Sequence, residues 1–129
     1  MEMRITVEAE VNPTESEEKI RKAIENLFGA MQMQTQTKDD LTLVVATASS
    51  RESFTKLYNI LRRERIRAAA RKVMLEGLDE KTITFCLNKQ VAHAGQVSFS
   101  DEAAESPLGP LRITIETDNP RELIDWLTR

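Results

Sequence analysis

Residues 3–29, MRITVEAEVNPTESEEKIRKAIENLFG, change their hydrophobic period once, and that change decides the fold class. Met3, Ile5, Val7, Ala9 and Val11 alternate with Arg4, Thr6, Glu8 and Glu10, the period-two pattern of a strand with one buried face. Asn12-Pro13 stops it. Thr14 and Glu17 stand at capping-box spacing, where each side chain satisfies a free backbone N–H at the start of a helix. Ile20, Ala23, Ile24, Leu27 and Phe28 then share one helical stripe, and Gly29 closes it. A half-buried strand followed directly by an amphipathic helix calls for a sheet with helices packed on it.

The rest of the chain repeats these two signals. Residues 31–37, MQMQTQT, alternate as a modest strand suited to a sheet edge, and 38–40 make a polar turn before a stronger strand at 41–48. Ser49 and Glu52 repeat the capping-box spacing and open a second helical region, with Phe54, Leu57, Tyr58 and Leu61 on one stripe. Leu61 to Ile66 is then a step of five, after which Ile66, Ala69, Ala70 and Val73 define a new face. One straight helix would bury Arg65 and Lys72, which is costly. The spacing therefore predicts a bend or two consecutive helices meeting near 62–65, with Gly77 ending the second. Strands follow at 82–88, 96–99 and 111–117, with a turn or single helical turn at 89–95 and an irregular stretch at 100–110. A last helix is capped by Asn119, with Pro120 at its first position, Glu122 in its first turn, and Leu123, Ile124, Trp126 and Leu127 on its buried side. The order β-α-β-β-α-α-β-β-β-α describes a single α+β domain over 1–129, with a largely antiparallel or mixed sheet and helices packed on it.

Composition narrows the function. Hydrophobic content of 40% and charged content of 30% are those of a globular domain with a real core. No apolar run approaches the roughly 18 residues that cross a bilayer. The first residues alternate rather than forming a basic then apolar leader, so neither a signal peptide nor a membrane partner is expected. Cys86 is the single cysteine, which forbids an intrachain disulfide. A cytoplasmic setting follows as an expectation.

The residue types needed for catalysis are scarce. His93 is the single histidine, and without acid, base or metal-binding partners near it in sequence it reads more readily as a surface or structural residue. No glycine-rich phosphate loop, nucleophile elbow or zinc-binding histidine pair is present. Glu15, Glu17 and Glu18 suit the first turn of a helix, where the macrodipole favours negative charge. Asp125, beside Trp126, suits a buried, hydrogen-bonded position. Neither a reaction, a cofactor nor a metal is expected.

What stands out is charge. The formal net charge is −3, yet residues 62–72, RRERIRAAARK, hold six cations against Glu64 alone. Arg63, Arg67 and Arg71 stand four apart and form one row on a helix, with Arg62, Arg65 and Lys72 on neighbouring faces. Arginine matches phosphate through a planar fork, so such a row suits a nucleic-acid backbone. Lys89 and Gln90 extend the patch if their loop lies nearby. The aromatic residues Phe54, Tyr58, Phe85 and Trp126 occupy core positions in the pattern, which favours backbone or shape recognition of structured RNA over base stacking. Two other readings use the same residues. Arginines are good helix formers and pair with carboxylates inside a fold, and a basic surface also suits an acidic protein partner or a second copy of the chain.

Five segments, VEAEVNPTE (7–15), LYNILRRERIRAAAR (57–71), FCLNKQVAHAGQVSF (85–99), LGPLRITIE (108–116) and LIDWL (123–127), occur in this order. As a set they resemble the archaeal uncharacterised protein family 0201 over nearly the whole chain. That resemblance implies an α+β fold like ribosomal protein five of the large subunit and possible RNA contact, and it supplies no catalytic residues. The family pattern leads one to expect an acidic residue after Ile66. Arg67-Ala68-Ala69-Ala70 stands there instead and makes this chain more basic.

Overall fold

The structure, a computed structural model, describes residues 3–49, 51–100 and 109–129. In chain order the elements are β1 (Met3–Val11), α1 (Glu17–Phe28), β2 (Gln32–Lys38), β3 (Leu41–Ala48), α2 (Arg51–Arg63) and α3 (Arg67–Glu76). These are followed by β4 (Leu78–Asp79), β5 (Thr82–Leu87), α4 (Lys89–His93), β6 (Phe99–Ser100), β7 (Leu111–Thr117) and α5 (Pro120–Thr128). The strands make one antiparallel sheet in the order β2-β3-β1-β7-β5-β4, with β6 also on β5.

The period-two pattern sets which side of this sheet is covered. Ile5, Val7 and Ala9 of β1 sit in register with Ala48, Ala46 and Val44 of β3 and with Ile115, Ile113 and Leu111 of β7. Ile83, Phe85 and Leu87 of β5 continue the same rows. All but Ala48 are buried, and α1, α2, α3 and α5 close over them with Ile24, Leu27, Phe28, Phe54, Leu61, Met74 and Ile124. The intervening residues face the other way, and no described helix covers them. They include Thr47, Thr6, Thr114 and Thr84, a cross-strand row of threonines. Arg4 lies opposite Glu116 and Glu8 opposite Arg112, so this open face balances its own cations, while Glu10 and Asp79 leave it with an excess of carboxylates.

The observed order adds the two-residue β4, makes the expected turn or single helical turn at 89–95 the short helix α4, and leaves of the expected strand at 96–99 the two-residue Phe99–Ser100, one residue further on. Most of the irregular stretch at 100–110 lies outside the described residues, as does Ser50 beside the expected cap of α2. The expected cap of α1 is corrected: the helix starts two residues later than a Thr14 cap predicts. Ser16 is the cap, its hydroxyl accepting from the Lys19 N–H at 3.4 Å. Glu15 instead turns back to Asn12, whose backbone N–H and side-chain amide both donate to its Oε1 at 3.1 and 2.7 Å. α5 begins at Pro120 as expected, although the Asn119 amide donates to Glu122 at 2.7 Å rather than its oxygen capping the backbone.

The step of five from Leu61 to Ile66 is the signature of a particular helix end. The Ile66 N–H donates to the Leu61 carbonyl at 3.1 Å and the Arg65 N–H to the Arg62 carbonyl at 3.2 Å. This is a Schellman motif, in which the residue after the cap turns left-handed. Arg65 takes that position with φ of 57°. Leu61 and Ile66 therefore both reach the core, and the chain turns sharply between α2 and α3.

Candidate nucleic-acid interface

The corner between α2 and α3 carries the basic segment, and its cations divide into two groups. Arg62 belongs to the fold. Its guanidinium lies 3.2 Å from the centre of the Tyr58 ring, which stacks on Trp126 with ring centres 4.7 Å apart. From there it donates to the carbonyls of Tyr58, Leu127 and Arg129 at 3.2, 3.1 and 2.9 Å. Arg67 donates to the Arg129 carbonyl at 2.9 Å, and Arg71 pairs with Asp125 at 2.6 Å. The last turn of α5 has no basic residue of its own. Its free carbonyls and the negative end of its dipole are satisfied by arginines from α2 and α3. Tyr58 and Trp126 are thus half-buried members of a clasp at the rim of the core, and Asp125 is exposed rather than buried.

The second group faces solvent. The Arg63 side chain is 67% exposed, with one contact to the Gly95 carbonyl at 3.1 Å and one to Glu64 at 3.7 Å. Glu64 is itself held by the Val97 N–H at 3.3 Å. Arg65 and Lys72 are exposed, and no hydrogen bond or ion pair engages their side chains among the described residues. α3 begins between Arg65 and Arg67, capped by Ile66 without a side-chain hydrogen bond. Its first N–H groups have no partner within the helix, and Ala68 and Ala69 beside them are exposed. Free N–H groups at the positive end of a helix, with exposed Arg65 just before its cap, form a surface suited to phosphate.

Lys89 does not extend this surface. Its side chain is 5% exposed, and its ammonium donates to the Glu10 carbonyl at 2.7 Å and to Glu15 Oε1 at 3.0 Å. Burial raises the Glu15 carboxyl, the largest single influence on it. The hydrogen bonds from Asn12 and Lys89 together outweigh burial and leave it below the ordinary carboxylate range. NPTE and LNKQ, which read in the sequence as separate family marks, therefore meet in one buried ion pair that ties the β1–α1 turn to the start of α4. Gln90 is exposed on α4 beside them, its N–H donating to the Asn88 side chain at 2.9 Å.

Sequence reasoning places the corner correctly and misses the partition within it. Nothing in RRERIRAAARK marks Arg62 as a clasp, because its partners lie more than 60 residues away. Lys89 carried a weak signal: a lysine directly after a buried strand, next to a helix cap, has little freedom to reach solvent. Among the described residues no group of three or more His, Cys, Asp or Glu side chains is placed to hold a metal ion. No described helix is long and apolar enough to cross a membrane.

Comparison with known proteins supports both the fold and the resemblance. A family model described as RNA binding matches residues 4–117. A UPF0201 protein of Sulfurisphaera tokodaii is 44% identical over 125 residues, covering 97% of this chain and 86% of the relative. Another from Pyrobaculum aerophilum is 42% identical over 126 residues, covering 97% and 88%. The crystal structure of a UPF0201 protein from Methanococcus jannaschii superposes with a TM-score of 0.86 at 30% identity, covering 98% of this chain and 99% of that one. A related fold from Methanothermobacter thermautotrophicus, at 13% identity, superposes with a TM-score of 0.69 and shows that the α+β layout outlasts the sequence. The chain belongs to uncharacterised protein family 0201, within the family described as RNA binding, and its homologues are archaeal.

Proposed function

We propose that this protein binds structured RNA through the α2–α3 corner, with Arg63, Arg65 and Lys72 contacting phosphates and the N-terminus of α3 receiving one of them. Arg67 and Arg71 contribute positive field while bracing α5, and Gln90 is a polar neighbour. Arg62 and Lys89 are assigned to the fold instead. The reading names no reaction.

The observation that carries it is Arg65. A left-handed residue costs roughly 1–2 kcal/mol when it is not glycine, and glycine is the usual occupant of this position. Arg65 adopts φ of 57° and spends its side chain on no described partner. Strain kept at an exposed, unpaired cation supports a role outside the fold. The open sheet face fits RNA less well, because among the described side chains Glu8, Glu10, Glu116 and Asp79 outnumber Arg4 and Arg112 there. That acidic excess favours a second reading, in which the basic corner meets the open face of another copy.

Arg63→Glu/Arg65→Glu tests both. Binding to a structured RNA, a single strand and duplex DNA is measured for wild type and variant, with light scattering alongside. Loss of RNA binding with an unchanged mass supports the first reading, and loss of a dimer without any RNA effect supports the second.

A further inference from the structure

A trough runs between α1 and α4 toward the same corner. Its first part, of about 330 Å³, is lined by Thr14, Ser16, Lys19, Gln90 and His93 over a floor of Ile20 and Ala23. Its second part, of about 490 Å³, is lined by Asn26, Arg63 and the turn 93–96. His93 borders both parts. The Asn26 amide donates to the His93 carbonyl at 3.0 Å and fixes α4 against α1.

The free charge of this trough is positive. Of the carboxylates lining it, Glu15 is paired with Lys89, and Glu64 is held by the Val97 N–H and Arg63. Lys19 and Lys22 are exposed, and no hydrogen bond or ion pair engages the side chains of Lys19, Lys22 or His93 among the described residues. Lys19 lines the first part and Asn26 the second, and exposed Lys22 stands between them on α1 at spacings of three and four. They span about 10 Å of helix. No Phe, Tyr or Trp side chain lines either part, and His93 is the one ring there, so the walls suit a sugar–phosphate backbone better than a run of stacked bases.

We propose that this trough is a second phosphate track: backbone phosphates that leave Arg63 continue past His93 to Lys19 and Lys22. The inference rests on the RNA reading above and extends it to α1 and α4. It is tested by the salt dependence of structured-RNA binding in Lys19→Ala/Lys22→Ala and in His93→Ala. Lys81→Ala/Arg121→Ala serves as control, since Lys81 lies at the opposite end of β5 from α4 and removes the same charge with Arg121. The first variant is expected to bind about tenfold more weakly and to flatten the slope of log affinity against log salt by about 1.4–1.8. His93→Ala is expected to weaken binding about fivefold, and the control to bind as wild type. A wild-type slope in Lys19→Ala/Lys22→Ala, with binding lost in Arg63→Glu/Arg65→Glu, overturns the trough and leaves the corner standing. An equal loss in the control overturns it too, because net charge alone would then account for the effect. No RNA binding by wild type at low salt overturns both.

Discussion

Lys89→Met puts the assignment of that lysine to a decisive trial. The substitution keeps the length and apolar stem of the side chain and removes the ammonium. Glu15, with its side chain 11% exposed, then loses its counter-ion, and the Glu10 carbonyl loses its donor. Breaking a buried pair from one side costs about 3–5 kcal/mol, because the remaining charge is left uncompensated. Two hydrogen bonds from Asn12 still hold Glu15, which places the expected loss near the lower end, about 3 kcal/mol. For a chain of 129 residues that corresponds to a melting point lower by roughly 10 °C. Urea denaturation of wild type, Lys89→Met, Glu15→Gln and the double variant supplies the numbers. The double variant should recover at least about 1 kcal/mol relative to Lys89→Met, since no carboxylate is then stranded. A loss under about 1 kcal/mol together with weakened RNA binding would refute the reasoning and return Lys89 to the phosphate surface.

Four further outcomes follow from the same geometry. Arg65→Gly relieves a left-handed arginine, so stability should stay level or rise by up to about 1 kcal/mol, while RNA affinity falls several-fold in a titration. Arg62→Ala should cost about 2 kcal/mol in chemical denaturation through the lost α5 clasp, whereas Arg71→Ala, at an exposed pair, should cost under about 1 kcal/mol. Gly77→Ala would place a Cβ 1.8 Å from the Thr84 carbonyl oxygen, and backbone cannot yield as a side chain can, so a loss of roughly 1–3 kcal/mol or more is expected. For Glu15, the folded-state pKa lies below its ordinary 4.5. Its contribution is full above that value and disappears as pH falls through the lower folded-state value, because the unfolded chain takes up the proton first. Denaturation curves collected on either side of that value should show wild type losing stability more steeply on acidification than Glu15→Gln.

The sheet and its covering helices were legible because one face is buried and the other is not. Alternation in β1, β3 and β7 and the stripes of α1, α2 and α5 record that burial residue by residue. The α2–α3 turn was legible for the same reason, since Leu61 and Ile66 both had to reach the core. β4 and β6 were not, because two residues carry no period. The site was half legible. A cluster of cations shows in the sequence, but whether an arginine meets solvent or a carbonyl depends on where a distant helix ends. Arg62 and Arg65 are three residues apart and look alike in the sequence. The end of α5 takes one and leaves the other free. The trough between α1 and α4 was hidden for a further reason: Lys19 and His93 become neighbours only when α4 docks on α1.

The central claim is that the exposed cations of the α2–α3 corner hold phosphates, and salt dependence measures this directly. Wild-type affinity for a structured RNA is compared at about 50 and 200 mM salt. With about four phosphates neutralised at the corner alone, the fourfold rise in salt should weaken binding at least roughly 100-fold, and Arg63→Glu/Arg65→Glu should abolish it without unfolding the protein. Binding that is absent at the lower salt, or present at both and indifferent to the substitutions, contradicts the account.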